Sequence, residues 1–71
     1  MLEVGDIVLE ATGQPWVYHQ DLLGHAFFKA DATDGFVDTK EIRDVEFPLT
    51  IVARHGEPVN ILIEKDDLAS V

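Results

Sequence analysis

Residues 50–64, TIVARHGEPVNILIE, carry the pattern that decides the fold. Two short runs rich in β-branched residues, 50–54 and 59–64, flank the reversal Gly56-Glu57-Pro58. Runs of this kind, bounded by Gly and Pro, are typical of paired β-strands. Apolar residues lie on both faces of these runs, which predicts strands that are covered on both sides, as in a small barrel or at the centre of a sheet.

Further turn signals divide the rest of the chain into pieces of similar length. Gly13 and Pro15 separate predicted strands at 7–11 and 16–19, and Pro15 suits the first residue of the second strand because it cannot donate to a ladder. The dipeptide Asp34-Gly35 predicts another turn. The chain therefore contains several short strands at nearly even spacing.

These signals predict a mostly β fold: a small SH3-like barrel or a compact five- to six-stranded antiparallel sheet, with room for one short helix. Ile51 and Ile61 lie in the middle of β-branched runs, so we expect both to face the core and to pack across the Gly56 reversal. Residues 21–30 and 39–45 fit helical and strand spacing equally, and both alternatives stay open there.

The opening Val4-Gly5-Asp6-Ile7-Val8 resembles the first strand of many small SH3-like barrels, including those that accompany the transcription and translation machinery. The resemblance implies a barrel rather than a particular partner. Members that bind nucleic acid would need basic loops, whereas the predicted loops here are acidic.

The chain length of 71 residues predicts a single β-rich domain covering residues 1–71. A domain this small has one thin core and little room for a deep catalytic cavity. The absence of cysteine excludes a disulfide framework, a zinc-thiolate site and a thiol nucleophile. The first residues show no signal peptide and no apolar run spans a bilayer, so we expect a cytoplasmic protein with no membrane partner.

The net charge is −9, which is large for this length. Only two bases, Lys40 and Arg43, accompany the acids of residues 31–46, which are Asp31, Asp34, Asp38, Glu41, Asp44 and Glu46. Such a field repels phosphate backbones and anionic lipid, and it attracts basic protein surfaces. The charge therefore disfavours direct nucleic-acid binding and favours a larger protein with a basic surface. An acidic surface that serves solubility alone is the competing interpretation.

Residue patterns that would carry chemistry are incomplete. Residues 34–42 resemble the second half of an EF-hand calcium loop, but alanines stand at its first and third ligand positions. His19, Asp21 and His55 have the residue types of a facial iron triad, although 34 residues separate the last two. Ser70 is the only serine and lies beside the C-terminus. We therefore expect no enzymatic activity, no cofactor and no metal.

The aromatic residues are four Phe, one Trp and one Tyr, more large rings than so thin a core readily buries. Trp16 and Tyr18 share one face of a predicted strand, because side chains alternate along it. Aromatic side chains are enriched at the energetic centres of protein interfaces. We therefore predict that Trp16 and Tyr18, together with the six acids of residues 31–46, contact a partner. The competing interpretation places Trp16 and Phe27 in the core.

The sequence thus predicts a non-enzymatic, acidic protein-binding module: an adaptor, accessory subunit or inhibitor of a larger protein. The alternative is an inhibitor of the phage type, which imitates nucleic-acid charge and occupies the basic groove of a nucleic-acid enzyme. Edge strands of so small a sheet also allow pairing between two copies, so a homodimer is compatible with the sequence. The identity of the partner is not encoded in any pattern above.

Overall fold

The computed structural model describes residues 2–31 and 37–69, without the side chains of Asp31, Leu68 and Ala69. Its elements are strands β1 (Ile7–Leu9), β2 (Pro15–Gln20), β3 (Ala26–Asp31), β4 (Val37–Lys40), β5 (Leu49–Arg54) and β6 (Glu57–Ile63), a 3₁₀ turn (Ile42–Asp44) and helix α1 (Lys65–Ala69). The strands form one antiparallel sheet with the order β4-β3-β2-β1-β5-β6. The predicted six-stranded antiparallel sheet with one short helix is confirmed, and among the described residues the sheet is not closed into a barrel.

The turn between β5 and β6 is a two-residue loop of His55 and Gly56, because Arg54 pairs with Glu57. Both loop residues have positive φ, 53° and 77° respectively, as a type I′ turn requires. Glycine adopts this conformation without steric cost. The sequence placed the reversal at Gly56-Glu57-Pro58; the structure moves it one residue earlier, and Glu57 and Pro58 begin β6.

The two segments that fitted either helix or strand are now assigned. Residues 21–25 form a loop, and the chain then continues as β3, because Gly24 has φ of 83° and a left-handed residue interrupts any helix. Phe27 and Phe28 point to opposite faces of β3, with Phe28 fully buried and Phe27 half-buried. After β4, the chain enters the short 3₁₀ turn.

The core lies against one face of the sheet and is covered by the segment around the 3₁₀ turn. Val45 from this segment is buried, and Ile42 and Phe47 pack against the core beside it. The rings of Tyr18 and Phe28 meet at a centroid distance of 5.6 Å. The buried apolar side chains are Val8, Trp16, Tyr18, Phe28, Val45, Leu49, Ile51 and Ile63.

Ile51 and Ile61 are directly opposite each other across β5 and β6, but their burial differs. Ile51 is fully buried, which confirms its predicted place in the core, whereas 38% of Ile61 is exposed. The prediction is therefore right about the face on which Ile61 lies and wrong about its burial in the core. In the part of the chain that the structure describes, β6 is an edge strand, so Ile61 has a neighbouring strand on one side only.

This difference in burial is testable by a matched pair of substitutions. We expect Ile51→Ala to lower the free energy of unfolding by about 2–5 kcal/mol, because it leaves a cavity in the core. Ile61→Ala removes the same atoms from a half-covered site and should cost about 1 kcal/mol. Urea denaturation of both variants measures the two values. Equal losses would contradict the open edge at β6.

Glu10 is a buried carboxylate that joins three parts of the chain. It is only 4% exposed, and it accepts hydrogen bonds from the Trp16 indole N–H at 2.9 Å, the Lys40 ammonium at 3.0 Å and the Glu46 backbone N–H at 2.7 Å. Burial alone would raise the pKa of Glu10, but these three donors outweigh it and hold the pKa below its usual value. Glu10 thereby ties the end of β4 and the segment after the 3₁₀ turn to the sheet.

Asp6 forms the second buried carboxylate site, at the other end of β1. Its two oxygens accept hydrogen bonds from Nε and Nη2 of Arg54, at 2.9 and 2.7 Å, and the Glu3 backbone N–H donates at 2.8 Å. The Arg54 hydrogen bond lowers the pKa of Asp6 against the opposing effect of burial. Arg54 also pairs with the Glu3 carboxylate at 2.8 Å. This site fastens the N-terminal segment to β5.

Candidate partner-binding site

The loop between β2 and β3, residues 21–25, is held by its first residue. Asp21 Oδ1 accepts the backbone N–H groups of Leu23 at 2.8 Å and His25 at 2.9 Å. Backbone hydrogen bonds from Gly24 to Asp21 and from Asp21 to His25, both 3.0 Å, close the same loop. Asp residues fix turns in this way because a short carboxylate reaches nearby backbone donors. We call residues 21–25 the leucine loop.

The leucine loop presents two large apolar side chains to solvent. Leu22 is fully exposed, at 105% of its reference area, and Leu23 is 83% exposed. Single exposed leucines are common on protein surfaces, but adjacent ones on a hydrogen-bonded loop form an apolar projection. Such a projection loses little conformational freedom when a partner covers it, because its backbone is already fixed.

An open groove of about 590 Å³ lies beside the leucine loop. The loop, the start of β3, the end of β4 and the 3₁₀ turn form its walls. The lining residues are Asp21, His25, Ala26, Phe27, Thr39, Lys40, Glu41 and Asp44. We call this feature the acidic groove.

The charges of the acidic groove are predominantly negative. It is lined by the carboxylates of Asp21, Glu41 and Asp44, whereas the ammonium of Lys40 is directed to buried Glu10. The Glu41 carboxylate lies 2.9 Å from Nε of exposed Arg43, and the Asp21 carboxylate lies 3.4 Å from Nδ1 of His25. The backbone N–H of His25, hydrogen-bonded to Asp21, lowers the pKa of that carboxyl, and the Leu23 N–H acts in the same direction. Asp21 is therefore ionised at neutral pH. The groove can bind cationic groups, and the half-buried Phe27 offers them an apolar neighbour.

The Glu10 network holds one wall of the groove in place. Lys40 lies immediately before Glu41, and its ammonium is bound to Glu10 and lies 5.8 Å from the centroid of the Trp16 ring. The Glu46 backbone, just beyond the 3₁₀ turn, is bound to the same carboxylate. The segment that carries Glu41 and Asp44 is thus anchored at both ends.

The six acids predicted to contact a partner are distributed unevenly. Glu41 and Asp44 line the acidic groove, whereas Asp38 and Glu46 are exposed outside it. Asp34 lies outside the described residues, together with the predicted Asp34-Gly35 turn on which the calcium-loop interpretation depends. Asp31 ends β3, but its side chain is outside the description. The structure therefore brings two of the predicted acids together with Asp21.

Trp16 and Tyr18, the two aromatic residues predicted to contact a partner, are in the core. Each is only 8% exposed, and the Trp16 indole is committed to Glu10. Their common face, as predicted from strand alternation, is the face that packs inward. They support the sheet and are not part of the exposed site, which corrects their assignment as surface contacts.

Sequence reasoning missed the groups that form the site. Leu22 and Leu23 matched an apolar spacing that fits a helix, and nothing in that pattern reveals exposure. The available signal was Asp21 three residues before Gly24, a combination that favours a tight loop. Glu10 gave no signal at all, because an acid near the end of a strand normally faces water.

The residues of the suggested iron triad have other neighbours. Asp21 binds the backbone of the leucine loop. The His19 ring stacks on Phe27 at 5.8 Å, and His55 lies in the β5–β6 turn, 3.4 Å from the Glu3 carboxylate. In residues 2–31 and 37–69, no three His, Asp or Glu side chains are grouped so that they could hold a metal ion. Within the same residues, no helix has the length and apolar character needed to cross a bilayer.

Comparison of the chain with protein-family models, with curated proteins and with solved structures gives no match.

Proposed function

We propose that this chain is a non-enzymatic protein-binding module whose leucine loop and acidic groove hold a basic, apolar segment of a larger protein. The observation that carries the proposal is the exposure of Leu22 and Leu23 on a loop fixed by Asp21. The groove beside the loop supplies the complementary polar part of the site. An adaptor, an accessory subunit and an inhibitor would all use such a surface.

Charge complementarity supports a basic partner. The chain has 14 acids and 5 bases, and two of each form the internal pairs Glu10–Lys40 and Asp6–Arg54. Twelve acids and three bases therefore remain to set the field around the protein. Of these, Asp21, Glu41 and Asp44 surround the groove. A field of this sign accelerates encounter with a positively charged surface.

The apolar part of the site favours a module that binds a protein segment. It does not favour the alternative, in which this chain mimics nucleic acid and occupies the groove of an enzyme. A mimic needs carboxylates arranged like phosphates, and it has no use for projecting leucines. Here Leu22 and Leu23 stand beside the carboxylates, with the Phe27 ring in the groove. A segment that combines Lys or Arg with aliphatic or aromatic side chains uses both parts of the site.

The proposal is tested with three synthetic peptides of equal length and alternating sequence: Lys–Leu, Glu–Leu and Lys–Ser. We expect the Lys–Leu peptide to bind most tightly by fluorescence anisotropy, the Lys–Ser peptide at least about tenfold more weakly, and the Glu–Leu peptide not measurably. Equal binding of the Glu–Leu and Lys–Leu peptides would refute the electrostatic part of the proposal.

A matched pair of variants tests the leucines. The double substitution Leu22→Ser and Leu23→Ser should weaken binding of the Lys–Leu peptide by at least about tenfold, because it removes the apolar contact and leaves the charges intact. The control is Val4→Ser, which changes an exposed apolar residue before β1, outside the leucine loop and the acidic groove. If both variants bind the peptide equally, the leucine loop is not the contact site.

A further inference from the structure

The two edges of the sheet are built differently. The β4 edge has four residues, and two of them, Asp38 and Lys40, are charged. The β6 edge has seven residues, and Pro58 to Ile63 carry no charge. Among the described residues, β6 pairs only with β5. Natural edge strands are kept short, charged or interrupted by proline, because an unpaired strand invites another strand to add to it. The proline of β6, Pro58, is its second residue, so residues 59–63 keep every backbone donor.

Strand β6 also exposes apolar side chains on both faces. Ile61, on the core side opposite Ile51, is 38% exposed, and Leu62, on the other side opposite Thr50, is 58% exposed. A strand added beside β6 would cover both residues at once. The side chain of Ile61 would then complete the row of buried residues that begins with Ile51.

The sequence of β6 is self-complementary when a second copy adds antiparallel to it. With the two-fold axis at Ile61, the two Ile61 residues face each other and Val59 faces Ile63. In the same register, Glu57 of one copy lies at the end of the strand where Lys65 of the other begins α1. On the face that carries Ile61 the central pairs are therefore apolar, whereas on the other face Asn60 lies opposite Leu62. Opposite charges, Glu57 and Lys65, meet at both ends.

We propose that β6 is the interface of a two-fold homodimer, in which two copies join edge to edge into one continuous antiparallel sheet. A two-fold contact uses the same surface of both copies, as this register requires. The leucine loop and the acidic groove lie at the opposite edge, beside β3 and β4, and remain open in the dimer. The dimer would therefore present two partner-binding sites, one at each end of the sheet.

Single cysteine substitutions test the register directly, because the natural chain has no cysteine. Residues directly opposite across an antiparallel pair have Cα atoms about 4.5–5.5 Å apart, within the range that a disulfide bridges. We expect Ile61→Cys to form a covalent dimer under mild oxidation at least about tenfold faster than Val37→Cys, a control on the β4 edge that is 49% exposed in the wild type. Equal rates for the two variants would overturn the proposal.

Sedimentation of the full-length chain tests the same interface without cross-linking. We expect a concentration-dependent dimer that strengthens as salt is raised, because each copy carries a net charge of −9 and salt screens their repulsion. Leu62→Lys should weaken it by at least about tenfold, whereas Val37→Lys should leave it unchanged. A chain that stays monomeric at millimolar concentration and high salt would refute the dimer and leave the partner-binding proposal unaffected.

Discussion

Replacing Glu10 by Ala is expected to lower the free energy of unfolding by about 3–5 kcal/mol. The substitution leaves the Trp16 indole N–H, the Lys40 ammonium and the Glu46 backbone N–H without their common acceptor. The Trp16 bond is buried and the other two are partly buried, so these donors regain little or no hydrogen bonding from water. For a domain of this length the melting temperature should fall by more than about 12 °C.

The matched control for this prediction is Glu46→Ala. It also removes one acid, but the Glu46 side chain is exposed and only its backbone N–H contacts Glu10. Chemical denaturation of the two variants should show a change within about 0.5 kcal/mol for Glu46→Ala. If Glu10→Ala is as mild as the control, the buried network does not hold the sheet and the segment after β4 together.

The two buried carboxylates, Asp6 and Glu10, make stability depend on pH. Folding lowers the pKa values of Asp6 and Glu10 from their ordinary values of 3.8 and 4.5. The stability that these carboxylates contribute is therefore fully present above about pH 5 and is lost as the pH falls through their folded-state pKa values. The Glu10→Gln variant has no titratable side chain at residue 10. Its free energy of unfolding should therefore decline less between about pH 6 and pH 3 than that of the wild type.

The second large effect is expected on association with a basic partner. Reversing Glu41 and Asp44 to Lys should slow association of the Lys–Leu peptide by about tenfold or more, because both carboxylates line the acidic groove. The dissociation rate should change less. The association rate of the wild type should fall as salt rises, since the Debye length shrinks from about 10 Å at 0.1 M to about 3 Å at 1 M.

A control with the same change in net charge separates the groove from the field of the whole chain. Glu64 and Asp66 are exposed acids near α1, beyond the edge strand farthest from the groove. Reversing both to Lys should slow association much less than reversing Glu41 and Asp44, as stopped-flow measurement would show. Equal slowing would mean that the acids act only through total charge.

Turn chemistry and strand pattern carried most of the fold. Pro15 is the first residue of β2, a position that suits a residue with no backbone N–H to donate. Gly56, with a positive φ, lies in the turn of the hairpin formed by two β-branched runs. Ile61 shows where this reasoning stops. Its β-branched, mid-strand context matches that of Ile51, but burial depends on whether a strand lies beyond it in the sheet. Local sequence carries little information about strand order.

The site was less accessible to sequence reasoning than the fold. The clustered charge includes Glu41 and Asp44, which line the groove, but it also includes Asp38, which lies outside it. Trp16 was assigned to the surface because its size suits an interface, whereas a buried acceptor for its indole N–H, Glu10, allows it to enter the core. Glu10 follows β1 and Trp16 lies in β2, six residues later, so neither residue alone predicts the environment of the other.

The central claim is that the leucine loop and the acidic groove act as one binding surface. The most direct test is a titration of isotope-labelled protein with the Lys–Leu peptide, followed by amide chemical shifts. We expect the largest chemical-shift changes in residues 21–27 and 39–44, where the loop and the groove lie. These changes should saturate with peptide concentration in the wild type and should not saturate in the Leu22→Ser, Leu23→Ser double variant. Changes centred on other residues, or a titration that the double variant leaves unaltered, would contradict the account.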